Sequence, residues 1–138
     1  MHPFSLRRLL WAGPLSALLA VAANLLFYAA SRAAGQAYLV TLGGPAQPAG
    51  PLPVLSIVLV TLAASAGASL LLAFLIQVSR APLPPFLSIS AMAMLVSFGG
   101  PFSLSEGTQT VTKLLLSCMH LIAGLVIVGG LLLFSRRG

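Results

Sequence analysis

Apolar residues in this chain neither alternate nor return in helical stripes. They run on, through residues 9–31, 54–78, 85–104 and 112–134. The first three runs hold no charged residue, and the fourth holds only Lys113 at its start. At 1.5 Å per residue a helix crosses the roughly 30 Å hydrocarbon core of a bilayer in about 20 residues, so each run is long enough to span. The pattern predicts an all-α membrane protein: one domain over residues 1–138, folded as an antiparallel bundle of four transmembrane helices.

The segments between the runs are polar or rich in turn-forming residues. Residues 32–53 carry Gly35, Gly43, Gly44 and Gly50 with prolines at 45, 48, 51 and 53, the chemistry of a long loop. Tyr38 to Leu42 has the character of a short strand with no visible partner, or of a segment lying at the membrane interface. Ser79 to Pro84 is too short for anything but a tight return, so the second and third helices are expected to be antiparallel neighbours. Its Pro82 to Pro85 stretch matches a PxxP ligand formally and is read as a constrained hairpin. Pro14 predicts a bend in the first helix or a later start, because it leaves the Leu10 carbonyl without its donor. Gly99-Gly100-Pro101 predicts a third span that is short or broken, or simply ends there. The second run holds Ala63, Ala64, Ser65, Ala66, Gly67, Ala68 and Ser69, small residues that allow close helix approach, and is expected to be the most central helix.

A secretory signal competes for the first run. Arg7 and Arg8 precede it, and Ala20-Val21-Ala22 resembles a cleavage site. The apolar stretch continues through Leu25, Leu26, Phe27, Tyr28 and Ala30 with no polar region before that point, which favours a retained helix.

Composition closes off other classes. With 59% hydrophobic and 6% charged residues, the chain cannot clothe a water-soluble fold. The net charge of +6 is dispersed between apolar runs, so it reports orientation rather than nucleic-acid binding. Arg7, Arg8, Arg80, Arg136 and Arg137 fall on one side of the threaded chain, against Arg32 and Lys113 on the other. The positive-inside rule then predicts both termini in the cytoplasm and 32–53 as the outer loop, in what reads as a bacterial cytoplasmic membrane.

Candidate chemistry is sparse. The only acid, Glu106, lies in the short polar loop before the fourth run, so no carboxylate is available inside the membrane to carry protons or bind cations. That speaks against a proton-coupled exporter of the small multidrug-resistance type. One cysteine, Cys118, forms no internal disulfide. It stands two residues from His120, about 200° around a helix, and cannot share a metal ion with it. His2 is terminal, so a two-histidine haem site within the chain is not expected either. No metal or other cofactor is expected, and no catalytic residue.

His120 is the one ionisable side chain deep in a span, and such residues usually face the bundle interior. It lies about 4–5 Å outward of the middle of its helix. Asn24 in the first helix lies about 6 Å outward of the middle. Thr61 in the second and Ser97 in the third also fall in the outer half. Asn24, Thr61, Ser97 and His120 thus form a candidate polar layer, either ligand-binding or interhelical hydrogen-bond glue. Lys113, Ser117, His120 and Gly124 share one helix face, and Ala12, Ser16, Ala20 and Asn24 another, so the simplest assembly brings Asn24 to His120.

Asn24-Leu25-Leu26-Phe27-Tyr28, Ala33-Ala34-Gly35, Ser97-Phe98-Gly99-Gly100-Pro101 and Met119-His120-Leu121-Ile122-Ala123 together resemble an uncharacterised family of small four-helix bacterial integral membrane proteins. The resemblance implies four spans and transfers no reaction. Functional expectations remain of different classes. One is a non-enzymatic protein that acts through helix contacts, as an accessory subunit or homo-oligomer in the lipid bilayer. The alternative is a small-solute permease or channel with an outer-half pocket around His120. An intramembrane enzyme comes last.

Overall fold

The computed structural model describes residues 4–41, 48–104 and 108–136. Lipid offers backbone groups no hydrogen-bond partners, so each apolar run closes its own within a helix. The helices are α1, Leu6–Ala33; α2, Val54–Val78; α3, Leu83–Phe102; and α4, Thr110–Phe134. All four are long and apolar enough to cross a membrane. The chain is an all-α four-helix bundle.

Two helix boundaries differ from expectation for identifiable reasons. α1 begins at Leu6 and continues through Pro14, which faces outward. Its first turn is anchored from outside: the Ser5 N–H donates to the Ser135 carbonyl at 3.0 Å, Phe4 pairs with Arg136 in an antiparallel bridge, and the Arg8 guanidinium donates to the Arg136 carbonyl. Phe4 is fully buried there. The two ends of the chain are therefore stitched together at one end of the bundle. α3 begins at Leu83, with Pro84 and Pro85 in its first turn, where a missing N–H removes no helical bond. It runs unbroken through Gly99 and Gly100 and ends just past Pro101, where the Ser103 N–H closes on the Gly99 and Gly100 carbonyls at 2.9 and 3.2 Å. The Gly-Gly-Pro segment is a terminus, not an interruption.

At the opposite end, α1 stops at Gly35, whose φ of 88° suits a residue without a Cβ. The chain turns back through Tyr38, which takes a φ of 50° and is buried. Its ring lies 4.8 Å from that of Tyr28 and its hydroxyl is 2.6 Å from Ser31 Oγ. Strand β1, Leu39–Val40, then pairs antiparallel with β2, Gly50–Pro51. The short strand expected near Tyr38 does have a partner, supplied by the far end of the same loop.

Between helices in lipid there is no water to expel, so packing and hydrogen bonds decide which faces meet. Small residues set three close crossings. A Cβ added to Gly13 of α1 would lie 2.9 Å from Ser69 Oγ of α2, and one added to Gly124 of α4 would lie 2.6 Å from Met94 Sδ of α3. One added to Gly130 of α4 would collide with Ser16 of α1. Gly13 and Ser16, low in α1, meet Ser69, high in α2, and Gly130, high in α4, while Lys113 at the start of α4 reaches the Leu104 carbonyl just past the end of α3, so these neighbours are antiparallel.

α1 and α4 form the central pair. α1 is 39% buried over its most apolar window, against 28% for α4, 22% for α2 and 6% for α3. This corrects the expectation that α2 is central. Ser65 of α2 is buried against α1 and Ser69 packs there too, but Ala63, Ala64, Ala66 and Gly67 are exposed. α2 and α3, joined by the short return and expected to be close neighbours, instead make few contacts with each other, because Gly124 admits Met94 and draws α3 onto α4. A cleft is left between them.

Candidate functional site

The cleft between α2 and α3 encloses a cavity of about 680 Å³. α4 forms its floor through Met119, His120, Ala123 and Gly124, and α1 reaches it through Asn24. Val40 and Leu52 of the loop between α1 and α2, with Pro101 and Leu104 at the end of α3, stand around its loop-side end. Towards the chain termini the lining stops near Leu71, Ile89 and Val128. Leu72, Phe86 and Leu131, all fully buried, pack together in the core cluster at that end. The flanks, Val60, Ala64 and Gly67 on α2 and Ile89 and Ala93 on α3, are exposed, so the cavity opens sideways between these helices.

Asn24, Thr61, Ser97 and His120 all line this one cavity. Their hydrogen bonds differ from the simplest assembly. Asn24 Nδ2 donates to Thr61 Oγ1 at 3.1 Å, and Thr61 Oγ1 donates to the Ile57 carbonyl at 2.7 Å. Among the described residues no hydrogen bond joins Asn24 to His120. α1 turns its Asn24 face to α2, while α4 presents His120 beside the Gly124 crossing with α3. His120 Nδ1 lies 2.8 Å from the Leu116 carbonyl one turn back. A carbonyl can only accept, so Nδ1 carries the proton and Nε2 of the neutral ring is an acceptor. Ser97 Oγ donates to the Met94 carbonyl at 2.7 Å. Asn24 Oδ1 is buried without a hydrogen-bond partner.

The proposed face of α4 divides. His120 and Gly124 line the cavity, Ser117 Oγ donates to the Lys113 carbonyl at 2.9 Å, and Lys113 Nζ reaches out to the Leu104 carbonyl at 2.9 Å. Cys118 is exposed. Among the described residues no three His, Cys, Asp or Glu side chains are grouped to hold a metal ion. Glu106, His2 and Arg137 lie outside the described residues.

Sequence reasoning did not find Met94, Met119, Val40 or Leu52, because apolar residues lining a cavity carry the same pattern as those facing lipid. Tyr38 was also overlooked as an anchor. Burial holds its hydroxyl above the usual tyrosine range, outweighing the opposing effect of the Ser31 hydrogen bond. A second groove, of about 670 Å³, runs between α1 and α2 near the termini. Its serines are already engaged: Ser65 donates to the Gly13 carbonyl at 3.5 Å and Ser69 to the Ser65 carbonyl at 2.8 Å.

The fold and cleft define a four-helix membrane protein with a side-opening, mainly apolar cavity that holds a few polar groups at one level. Residues 4–137 match DUF6069, a family of unknown function, and the chain belongs to that family. No curated protein and no solved structure matches it.

Proposed function

We propose that this protein is a non-enzymatic membrane protein that holds a small amphiphilic molecule in the cleft between α2 and α3. The observation that carries this reading is the convergence of Asn24, Thr61, Ser97 and His120, one from each helix, on a single apolar cavity of a size that suits a small molecule. Polar groups acting only as glue would sit between tightly packed helices, as Asn24 and Thr61 do. Ser97 and His120 instead stay half-buried, on helices whose crossing leaves the cavity open. The apolar closure by Leu72, Phe86 and Leu131 favours binding from the bilayer over passage of a small solute straight through the bundle.

We further propose an orientation with both termini cytoplasmic in a bacterial cytoplasmic membrane, which puts the polar level of the cleft in the outer half. The arginine majority at the stitched end supports this. An accessory or self-associating role is the second reading. It is favoured by the exposed apolar residues of α3, Met92, Leu95 and Val96 among them, which are free to meet another chain or lipid. The small-residue stripe of α1 no longer supports that role, because Ala12, Ser16, Ala20 and Asn24 are all buried within the bundle.

Extraction in native lipid, with identification of everything that co-purifies, tests the choice. A cleft-binding protein is expected to retain a small amphiphile that a Gly67→Phe variant loses. Gly67 is exposed on the cleft, and a Cβ there meets nothing within 4 Å, so the larger side chain should fill the cavity without disturbing the helix. A stoichiometric protein partner with no retained small molecule would replace this reading with the accessory one.

A further inference from the structure

We infer that the cleft selects an uncharged amphiphile whose polar end donates a hydrogen bond, with an alcohol as the simplest case; this rests on the cleft being a binding site. Around Ser97 and His120 the polar hydrogens are engaged within their own helices, while two further hydroxyls of the lining, Ser56 and Ser90, lie about 7 Å from Thr61 along α2 and about 10 Å from Ser97 along α3. Ser97 Oγ donates to the Met94 carbonyl, Thr61 Oγ1 to the Ile57 carbonyl, and the His120 Nδ1 proton points to the Leu116 carbonyl. What these groups offer a ligand is lone pairs: Nε2 of His120 from α4 and Oγ of Ser97 from α3, the two half-buried members of the set. Pro101 adds to the same bias. It stands four residues after Ser97, lines the cavity, and has no N–H to give to the Ser97 carbonyl.

A ligand that brings a donor satisfies these acceptors without breaking any bond. A ligand that brings only an acceptor to this pair must first pull a hydrogen away from a helix carbonyl. A cationic donor is disfavoured, because the sole acid of the chain is Glu106, in the polar segment between α3 and α4, and an unpaired charge in hydrocarbon is costly. Apart from Ser56 and Ser90, apolar side chains line the rest of the cavity and suit an aliphatic body, which reaches them from the bilayer through the gap between α2 and α3.

The test uses the full chain in nanodiscs of a zwitterionic lipid and two photoreactive probes: hexadecanol carrying a mid-chain diazirine, and its O-methyl ether. The ether keeps the chain and the oxygen but lacks the donor. Cross-linked residues are located by mass spectrometry at equal probe content in the membrane. The alcohol is expected to label cleft residues such as Ala64 and Ala93 saturably, at about fivefold the yield of the ether, the scale of one net hydrogen bond. His120→Phe combined with Ser97→Ala should bring the alcohol down to the ether. If that pair fails to fold, Ser97→Ala alone should still lower the preference by about twofold or more. Equal cleft labelling by alcohol and ether, both blocked by Gly67→Phe, would overturn donor selection and leave the binding cleft standing. Labelling no stronger in the cleft than on the lipid-facing side of α2, and indifferent to Gly67→Phe, would remove the binding reading itself.

Discussion

At the level of single residues, lipid makes a hydrogen bond between helices both specific and modest. Thr61 has one hydroxyl hydrogen, directed at the Ile57 carbonyl, so it must accept from Asn24, and this fixes which way the Asn24 amide faces. Because Asn24 Oδ1 remains unpartnered, truncating the side chain removes an unsatisfied acceptor along with the bond. The net effect of Asn24→Ala is therefore expected to be small. A double-mutant cycle with Thr61→Val, read by reversible unfolding in mixed micelles, should give a coupling of about 0.5–1.5 kcal/mol. Zero coupling would mean that the bond is absent from the folded protein. Tyr38 makes a second prediction at this scale. Burial raises its pKa in the folded state, so its contribution is complete below 10.0 and is lost as pH climbs through the raised value. Phenolate absorbance that Tyr38→Phe removes should accordingly emerge only above pH 10.0, and a titration at or below that value would contradict the burial of this side chain.

Between elements, two adjacent glycines of α4 separate propensity from packing. A Cβ at Gly129 meets nothing within 4 Å, whereas one at Gly130 collides with Ser16 of α1. Alanine improves helix propensity by about 0.8–1.0 kcal/mol at either position, so Gly129→Ala should be neutral or stabilising. Gly130→Ala should instead destabilise by about 1–3 kcal/mol, and Ser16→Gly in the same chain should recover much of the loss. Matching stabilities for the two single variants would show that α1 and α4 do not approach as closely as the fold requires. The contrast also marks how much of the fold was legible in the sequence. Helix positions followed from length and charge-free composition, and α2 at 54–78 agrees to the residue. Partner choice did not follow, because Gly129 and Gly130 read alike, as do the buried Ser65 and the exposed Ala64. Only the side chain facing each position across a crossing distinguishes them. The start of α1 was misjudged for a related reason: Phe4 and Ser5 are held by Ser135 and Arg136, at the other end of the chain.

For the whole molecule, the constant rise per residue gives Asn24, Thr61, Ser97 and His120 a similar expected depth, and all four line one cavity. The cavity they share was not readable, since it depends on α3 leaving α2 for α4. Orientation is the remaining global property, and here the fold sharpens the charge argument. The two cations that oppose the majority are tied into local structure: Arg32 donates to the Ala37 carbonyl at 2.9 Å, and Lys113 Nζ to the Leu104 carbonyl at 2.9 Å. Each closes a turn next to a helix end, a sufficient reason for it to be there. Arg7 and Arg80, by contrast, are exposed at the stitched end with Arg8 and Arg136, the end that the proposed orientation places in the cytoplasm. Removing Arg32 and Lys113 should thus loosen the loops without inverting the protein. In a Cys118→Ala background, a cysteine at Ala49, exposed in the long loop, is expected to react with a membrane-impermeant maleimide added to intact cells, and one at Ala81 only after lysis. The same two patterns should persist when Arg32→Gln and Lys113→Gln are added, because the five arginines at the other end still decide. Ala81 labelled from outside, with Ala49 protected, would invert the protein and move the polar level of the cleft to the cytoplasmic half of the membrane.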